Sequence, residues 1–202
     1  MKITKIEAQV KTRGRYSIFV DDKFAFGLSE LGLINSGIKV GLEINQTQLA
    51  KFKEESDIDK IYGRTLDLLA RRPRSEWEIK DYLKRKNQTE EQACKILNRL
   101  SNSGYINDED FARRWVDSRR LLKSTSKRKL SLELKQKRIS DEIISKVLAE
   151  DETDELEVIK TLISKKRSQT RYQDPQKLMS YLAGQGFGYG DIKQALYSLE
   201  EE

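Results

Sequence analysis

The chain has 202 residues, with 39 Lys or Arg against 33 Asp or Glu, a formal net charge of +6. Leu, Ile, Val and Phe make up about 26% of it, above the roughly 20% below which a chain cannot bury a core, while the 36% of charged residues exceeds the usual ~25% and suits slim helical modules better than one thick core. With no histidine, one cysteine and no apolar run longer than three residues, the sequence excludes an internal disulfide, a Cys/His zinc site, a membrane span and a signal peptide. The commonest general acid–base residue is missing as well. These absences favour a cytoplasmic protein that is not an enzyme, with no catalytic residues, no metal and no cofactor.

The first forty residues read as a small antiparallel meander. Ile3 to Val10 alternates loosely, a turn spans Lys11 to Arg15, and Tyr16 to Val20 alternates again. Asp21-Asp22-Lys23 is a tight turn before Phe24-Ala25-Phe26. Ser29 to Ile34 predicts a short helix ending near Gly37, and Asn45 is an N-cap for a helix running through Leu49 and Phe52.

From about Asp59 onward the pattern is helix and turn, and it recurs. Leu83, Leu134 and Leu182 lie 51 and 48 residues apart. The same offsets superpose Ile79 on Leu130 and Leu178, Ala93 on Ile144 and Ile192, and Leu97 on Leu148 and Leu196. A period near fifty with three helices per unit marks a tandem helical array. The expected fold is mainly α: three three-helix modules behind a small N-terminal β-meander with helices. Its parts are an extension over 1–58 and modules over 59–107, 108–153 and 154–202.

Punctuation agrees with the repeat. Ser75 with Glu78 and Thr89 with Gln92 fit capping boxes, Asp174-Pro175 supplies an N-cap and an N1 proline, and Ser140 opens another helix. Asn87, Arg138 and Gly186 sit at equivalent places before the third helix of each module, where the turn calls for a left-handed residue. Cys94, beside Ala93, Ile96, Leu97 and Leu100, is expected to be a packed structural thiol. Trp115, beside Phe111, Ala112 and Val116, is expected in the core. Gly184 to Gly190 lacks the strand, spacing and Lys-Ser/Thr of a nucleotide cradle and reads as a turn. The acids from Asp151 to Glu157 lack calcium-loop spacing and read as helix-start residues.

Charge is distributed unevenly. Residues 1–59 are neutral, 60–140 carry net +11, and 141–202 carry net −5. Nine basic residues face one acid, Glu133, between Arg119 and Arg138. A field of this kind attracts polyanions or acidic protein surfaces. Density of charge selects the candidate contacts: Arg71, Arg72, Arg74, Arg119, Arg120, Lys127, Arg128, Lys129, Lys135, Lys137 and Arg138.

Three stretches resemble the RecX family of regulators of the RecA recombinase. They are Arg72 to Leu83, the junction Gly104-Tyr105-Ile106-Asn107-Asp108-Glu109-Asp110-Phe111-Ala112-Arg113-Arg114-Trp115, and Leu130 to Ile139, echoed by Tyr181 to Phe187. The N-terminal meander is similar to an extension of some members. Ser126-Lys127 stands where the family usually has Gly-Pro, Arg138 where it has Gly, and Gln185 where Lys is frequent. The resemblance implies a helical-repeat monomer that binds in the groove of the RecA–DNA filament. It would inhibit recombinase, ATPase and co-protease activities in DNA repair and the SOS response, without a membrane. The alternative is a stand-alone nucleic-acid-binding helical module that takes single- or double-stranded DNA directly through the same basic residues. An enzyme, the third reading, lacks a nucleophile or base among the motifs.

Overall fold

The structure, a computed structural model, describes residues 1–199. It is mainly helical, with a three-stranded antiparallel sheet at its N-terminus. The chain divides into two compact units. One comprises Met1–Pro73 and Ile79–Tyr105, the other Arg74–Glu78 and the described residues from Ile106 onward.

In the first unit, β1 (Ile3–Ala8), β2 (Arg15–Val20) and β3 (Lys23–Ser29) lie in that order. Ile6 pairs with Ile18, and Ile18 with Phe26. Asp21 and Asp22 both have positive φ, the geometry a two-residue hairpin turn needs. Two expectations for the strands change. β3 extends through Ser29 because its backbone stays paired with β2 as far as Arg15. β1 ends at Ala8, and Val10 points into solvent. Ile3, Ile18, Val20, Phe26, Leu28, Ile38 and Ile44 form the core, with Leu49 and Phe52 packed on it.

Ser29 caps α1 (Glu30–Ser36), which ends at Gly37 in the left-handed conformation. Asn45 and Gln48 form a full capping box at the start of α2 (Gln46–Arg71). This helix of 26 residues continues unbroken through positions 58 and 59, where the sequence suggests a boundary. α3 (Glu76–Arg85) and α4 (Glu90–Asn102) complete this part of the chain, although the first turn of α3 belongs to the other unit.

The second unit holds two three-helix groups. The first is α5 (Asp108–Leu122), α6 (Lys127–Gln136) and α7 (Asp141–Glu150). The second is α8 (Glu155–Arg167), α9 (Pro175–Gly184) and α10 (Tyr189–Ser198), with a 3-10 turn at Thr170–Tyr172. Each group buries its own core, Leu130, Leu134, Ile139, Ile144 and Val147 in one and Leu178, Leu182, Phe187, Ile192 and Ala195 in the other.

The three turns that the sequence aligns share one geometry. Asn87, Arg138 and Gly186 have φ of 57°, 59° and 91°. In each, the next amide donates back to the carbonyl of the repeat's leucine: Gln88 to Leu83, Ile139 to Leu134 and Phe187 to Leu182. That is a Schellman closure, which the left-handed residue makes geometrically accessible.

Cys94 departs from expectation, since it is exposed. The buried stripe of α4 runs Ala93, Ile96, Leu97, Leu100, and a neighbour of Ala93 is rotated about 100° from it. Its sulfur instead accepts from Asn98 Nδ2 at 3.6 Å.

Candidate polyanion-binding face of α5 to α7

Where the basic residues of the second unit go is decided by the helices that carry them. Trp115 and Arg119 are four residues apart on α5, so they stand on one face one turn apart. Both donate to Glu133 Oε2 on α6, at 2.8 Å from Trp115 Nε1 and 2.7 Å from Arg119 Nε. The Arg119 guanidinium also lies 4.3 Å from the centre of the Trp115 ring, and Lys137 Nζ 5.2 Å from it. Trp115 is therefore a half-buried bridge rather than a purely apolar core residue: its ring packs on the α5–α7 core while its N–H binds Glu133. Burial pushes the Glu133 carboxyl up, but the bonds from Arg119 and Trp115 outweigh it and hold the group below its ordinary value.

Arg120 points the other way. Its Nε and Nη2 donate to Asp151 Oδ2 at 3.0 and 2.6 Å, and Nη1 donates to the Thr125 carbonyl. The pair is deeply placed, with side chains 11% and 7% exposed. Burial raises the Asp151 carboxyl, while hydrogen bonds from Thr153 and Arg120 more than compensate and lower it. Lys127 Nζ donates to the Asp151 carbonyl at 2.7 Å, and the Lys127 amide donates to Glu155 Oε1. Lys129 Nζ reaches Gln185 Oε1 at 2.7 Å, and Lys137 Nζ reaches Glu78 Oε1 at 3.2 Å. Asp151 and Glu155 are thus internal acceptors, and among the described residues no group of three or more His, Cys, Asp or Glu could hold a metal ion.

The eleven candidate cations consequently fall into two sets. Arg119, Arg120, Lys127, Lys129 and Lys137 are half-buried and bonded within the second unit. Arg71, Arg72, Arg128, Lys135 and Arg138 are exposed, and Arg74 is half-buried. Lys135 makes an exposed ion pair with Asp141 at 2.9 Å, Arg72 donates to the Pro73 carbonyl, and Arg138 lies 5.9 Å from the Trp77 ring. Arg114 and Lys123 of α5 and its C-cap, which charge density did not single out, are exposed as well.

A repeated polar joint also escaped the sequence reading. Ser75 Oγ donates to the Lys137 carbonyl at 2.9 Å, and Ser126 Oγ to the Gln185 carbonyl at 2.8 Å. Each serine is buried at the start of a middle helix, and each carbonyl immediately precedes a left-handed residue, Arg138 or Gly186. The signal was present: Ser75 and Ser126 are 51 residues apart, Lys137 and Gln185 are 48 apart, the same two offsets as the leucines. At Gly186 a Cβ would stand 2.5 Å from Ser126 Oγ, so this joint also requires glycine there.

Comparison with known proteins covers most of the chain. Residues 1–45 match the regulatory protein RecX N-terminal domain, residues 62–100 the first RecX three-helix domain and residues 107–148 the second. The chain is 30% identical to the regulatory protein RecX of Bacillus subtilis, across 99% of this chain and 78% of that protein. It is 34% identical to the one of Listeria monocytogenes serovar 1/2a, across 74% and 56%. A crystal structure of a regulatory protein RecX superposes with a TM-score of 0.77 at 30% identity, covering 96% of this chain and 98% of that one. RecX from Lactobacillus salivarius superposes at 0.63 with 28% identity, covering 72% and 98%.

Proposed function

The chain belongs to the RecX family of regulatory proteins, and from that premise we propose that it binds the groove of the RecA–DNA filament and inhibits the recombinase. ATPase and co-protease activities would fall with it, in DNA repair and the SOS response. In this reading it works in the cytoplasm as a monomer without catalysis of its own, and its partner is a protein filament. The extension over 1–58 and the modules over 59–107, 108–153 and 154–202 are its working parts.

The observation that carries the proposal is the whole-length relation to RecX regulators joined to a surplus of displayed cations in the second RecX three-helix domain. Arg128, Lys135 and Arg138 are exposed in that domain; Arg71 and Arg72 are exposed in the first unit, at the end of α2 and just after it. They would pair with filament carboxylates or nearby phosphates. Arg119, Arg120, Lys127, Lys129 and Lys137 serve first to build the surface, because their bonds inside the unit must break before they could reach a partner.

Titrating the protein into preformed RecA filaments on single-stranded DNA, with bare DNA as the control, tests this. The expected result is a fall in ATP hydrolysis with increasing protein. Tight, strongly salt-dependent binding to bare DNA with no effect on filaments would instead support a stand-alone nucleic-acid-binding module. The protein alone should hydrolyse no ATP and cut no DNA. A turnover that co-purifies with it and disappears on a single substitution would overturn that part.

A further inference from the structure

The first unit contains an open cleft of about 990 Å³ between the sheet, the β1–β2 turn and one face of α2 and α4. Its floor is a closed polar cluster. Arg15 Nη1 donates to Asp59 Oδ2 at 3.2 Å and Nη2 to the Gly27 carbonyl, while the Ser29 amide and hydroxyl donate to the two Asp59 oxygens at 2.7 and 2.6 Å. Asp59 is buried, and this pair cancels its own charge. The floor is therefore a scaffold that ties the β2–β3 end of the sheet to α2.

What lies above the floor is uneven in sign. Lys53, Lys60 and Arg64 line the wall from α2. Their spacing of seven and four residues puts them on one face in a row about 16 Å long. Arg13 enters from the β1–β2 turn and Arg99 from α4, where it stacks 3.8 Å from the centre of the Tyr62 ring. Asp57 and Asp67 are the acids that remain. Lys53, Lys60, Arg64 and Arg13 are exposed, and none forms an ion pair among the described residues. At the rim Phe24 is 61% exposed, although it sits in a strand and touches Phe19 edge-on at 6.1 Å.

We propose that this cleft holds a stretch of single-stranded nucleic acid, with the α2 row following successive phosphates and Phe24 offering a face to a base. A row of cations in an open groove beside an exposed aromatic ring is the arrangement that sequence-tolerant strand binding uses. The length of the row suits a polymer rather than one phosphate, and an acidic peptide would leave the ring unused. The site is independent of the α5–α7 face and adds a second contact to the filament reading without depending on it.

The test is fluorescence anisotropy of a labelled oligothymidine with the full chain, over a series of salt concentrations. Lys53→Glu/Lys60→Glu/Arg64→Glu should bind about tenfold or more weakly at low salt. Its log-log salt slope should be shallower by about 2, since each lost contact to a single strand removes about 0.7. Phe24→Ala should weaken binding about fivefold or more while keeping the slope. All four side chains are exposed, and unchanged circular dichroism would exclude misfolding. Equal affinity and slope for the triple variant and the natural chain would overturn the proposal. So would a natural chain that binds no oligothymidine at low salt, or one whose cleft takes a polyglutamate peptide instead. Inhibition of recombinase filaments, measured alongside, reports on the other reading separately.

Discussion

The helices α5–α7 and α8–α10 share an apolar plan and differ in their polar one. Leu130 and Leu178, Leu134 and Leu182, and Ile144 and Ile192 are all buried at matching positions. Around those residues the first group links its helices with ions: Arg119 to Glu133, Arg113 to Glu150 at 3.0 Å, and Arg120 to the Asp151 that follows α7. The second group links its helices with aromatic rings, Tyr172 against Tyr181 at 5.0 Å with Lys166 over both. The apolar repeat is enough to build three helices, and the polar residues are free to give each copy a different surface and a different response to solvent.

The largest expected break in that comparison is Asp151→Ala. It removes the near carboxylate of the buried Arg120 guanidinium and leaves only that of Glu155 at 3.8 Å; loss of a buried partner costs up to about 3–5 kcal/mol where the pair is inaccessible to water. A denaturant midpoint unchanged from the natural chain would show that water replaces Asp151 easily. Next, Leu134→Ala and Leu182→Ala should each cost about 2–5 kcal/mol, as deletions at fully buried leucines do. Closely similar losses would confirm the shared apolar plan, whereas a loss in one alone would break it.

The turns sharpen the comparison further. Gly186→Ala adds a Cβ that meets Ser126 Oγ at 2.5 Å, on a backbone of φ 91°. The hydroxyl cannot yield freely, because it accepts from the Lys129 amide and donates to the Gln185 carbonyl. A loss of about 1–3 kcal/mol is expected. Arg138→Gly at the matching position should shift stability by less than about 1 kcal/mol, since relief of the left-handed strain opposes the added chain freedom and the lost Trp77 contact. Thermal melting of both variants decides it, and equal losses would contradict the account.

Acid sensitivity tests the ion links of the first group. Glu133 and Asp151 both titrate below their ordinary values. A depressed carboxyl contributes stability that is present in full above its unfolded value, about 4, and lost as pH falls through its folded value. Melting followed between pH 6 and 2 should therefore show a loss below about pH 4 that Glu133→Gln with Asp151→Asn reduces. Asp108, raised by burial against the help of the Glu76 amide, acts in the opposite sense, because protonation in the same range favours the folded chain. A double variant with the natural acid profile would remove these two carboxyls from the explanation.

Much of the fold was legible from the residues. Apolar periodicity at offsets of 51 and 48 located the buried leucines, and capping chemistry located the starts of α2, α4, α7 and α9. The left-handed turns at Asn87, Arg138 and Gly186 followed from alignment alone. The boundary expected at 58 and 59 had no stop signal behind it: residues 52–61 contain neither proline nor glycine, and α2 runs straight through them. Cys94 was misplaced by neighbourhood in sequence, although its own helical phase puts it outside the stripe. At the candidate site, charge density found the basic region but could not tell displayed cations from committed ones. Arg119 and Arg120 are adjacent in sequence, and only the positions of Glu133 and Asp151 in space separate their roles. The cleft around Lys53, Lys60 and Arg64 was invisible for another reason: these residues straddle the neutral segment 1–59 and the start of the basic one, and only the helical phase of α2 brings them onto one face.

The central claim is that displayed cations, rather than total positive charge, draw the protein to its partner. Arg128→Glu/Lys135→Glu/Arg138→Glu changes only exposed side chains and leaves the buried bonds of Arg119, Arg120, Lys127, Lys129 and Lys137 in place. Each contact is worth only about 0–1 kcal/mol, so the three are changed together. Inhibition of ATP hydrolysis by RecA filaments on single-stranded DNA is then compared with that of the natural chain at low salt and near 1 M, where the Debye length is about 3 Å. The account predicts that the folded variant inhibits less at low salt and that the difference shrinks at high salt. Equal inhibition at low salt by a variant of unchanged helicity would contradict it.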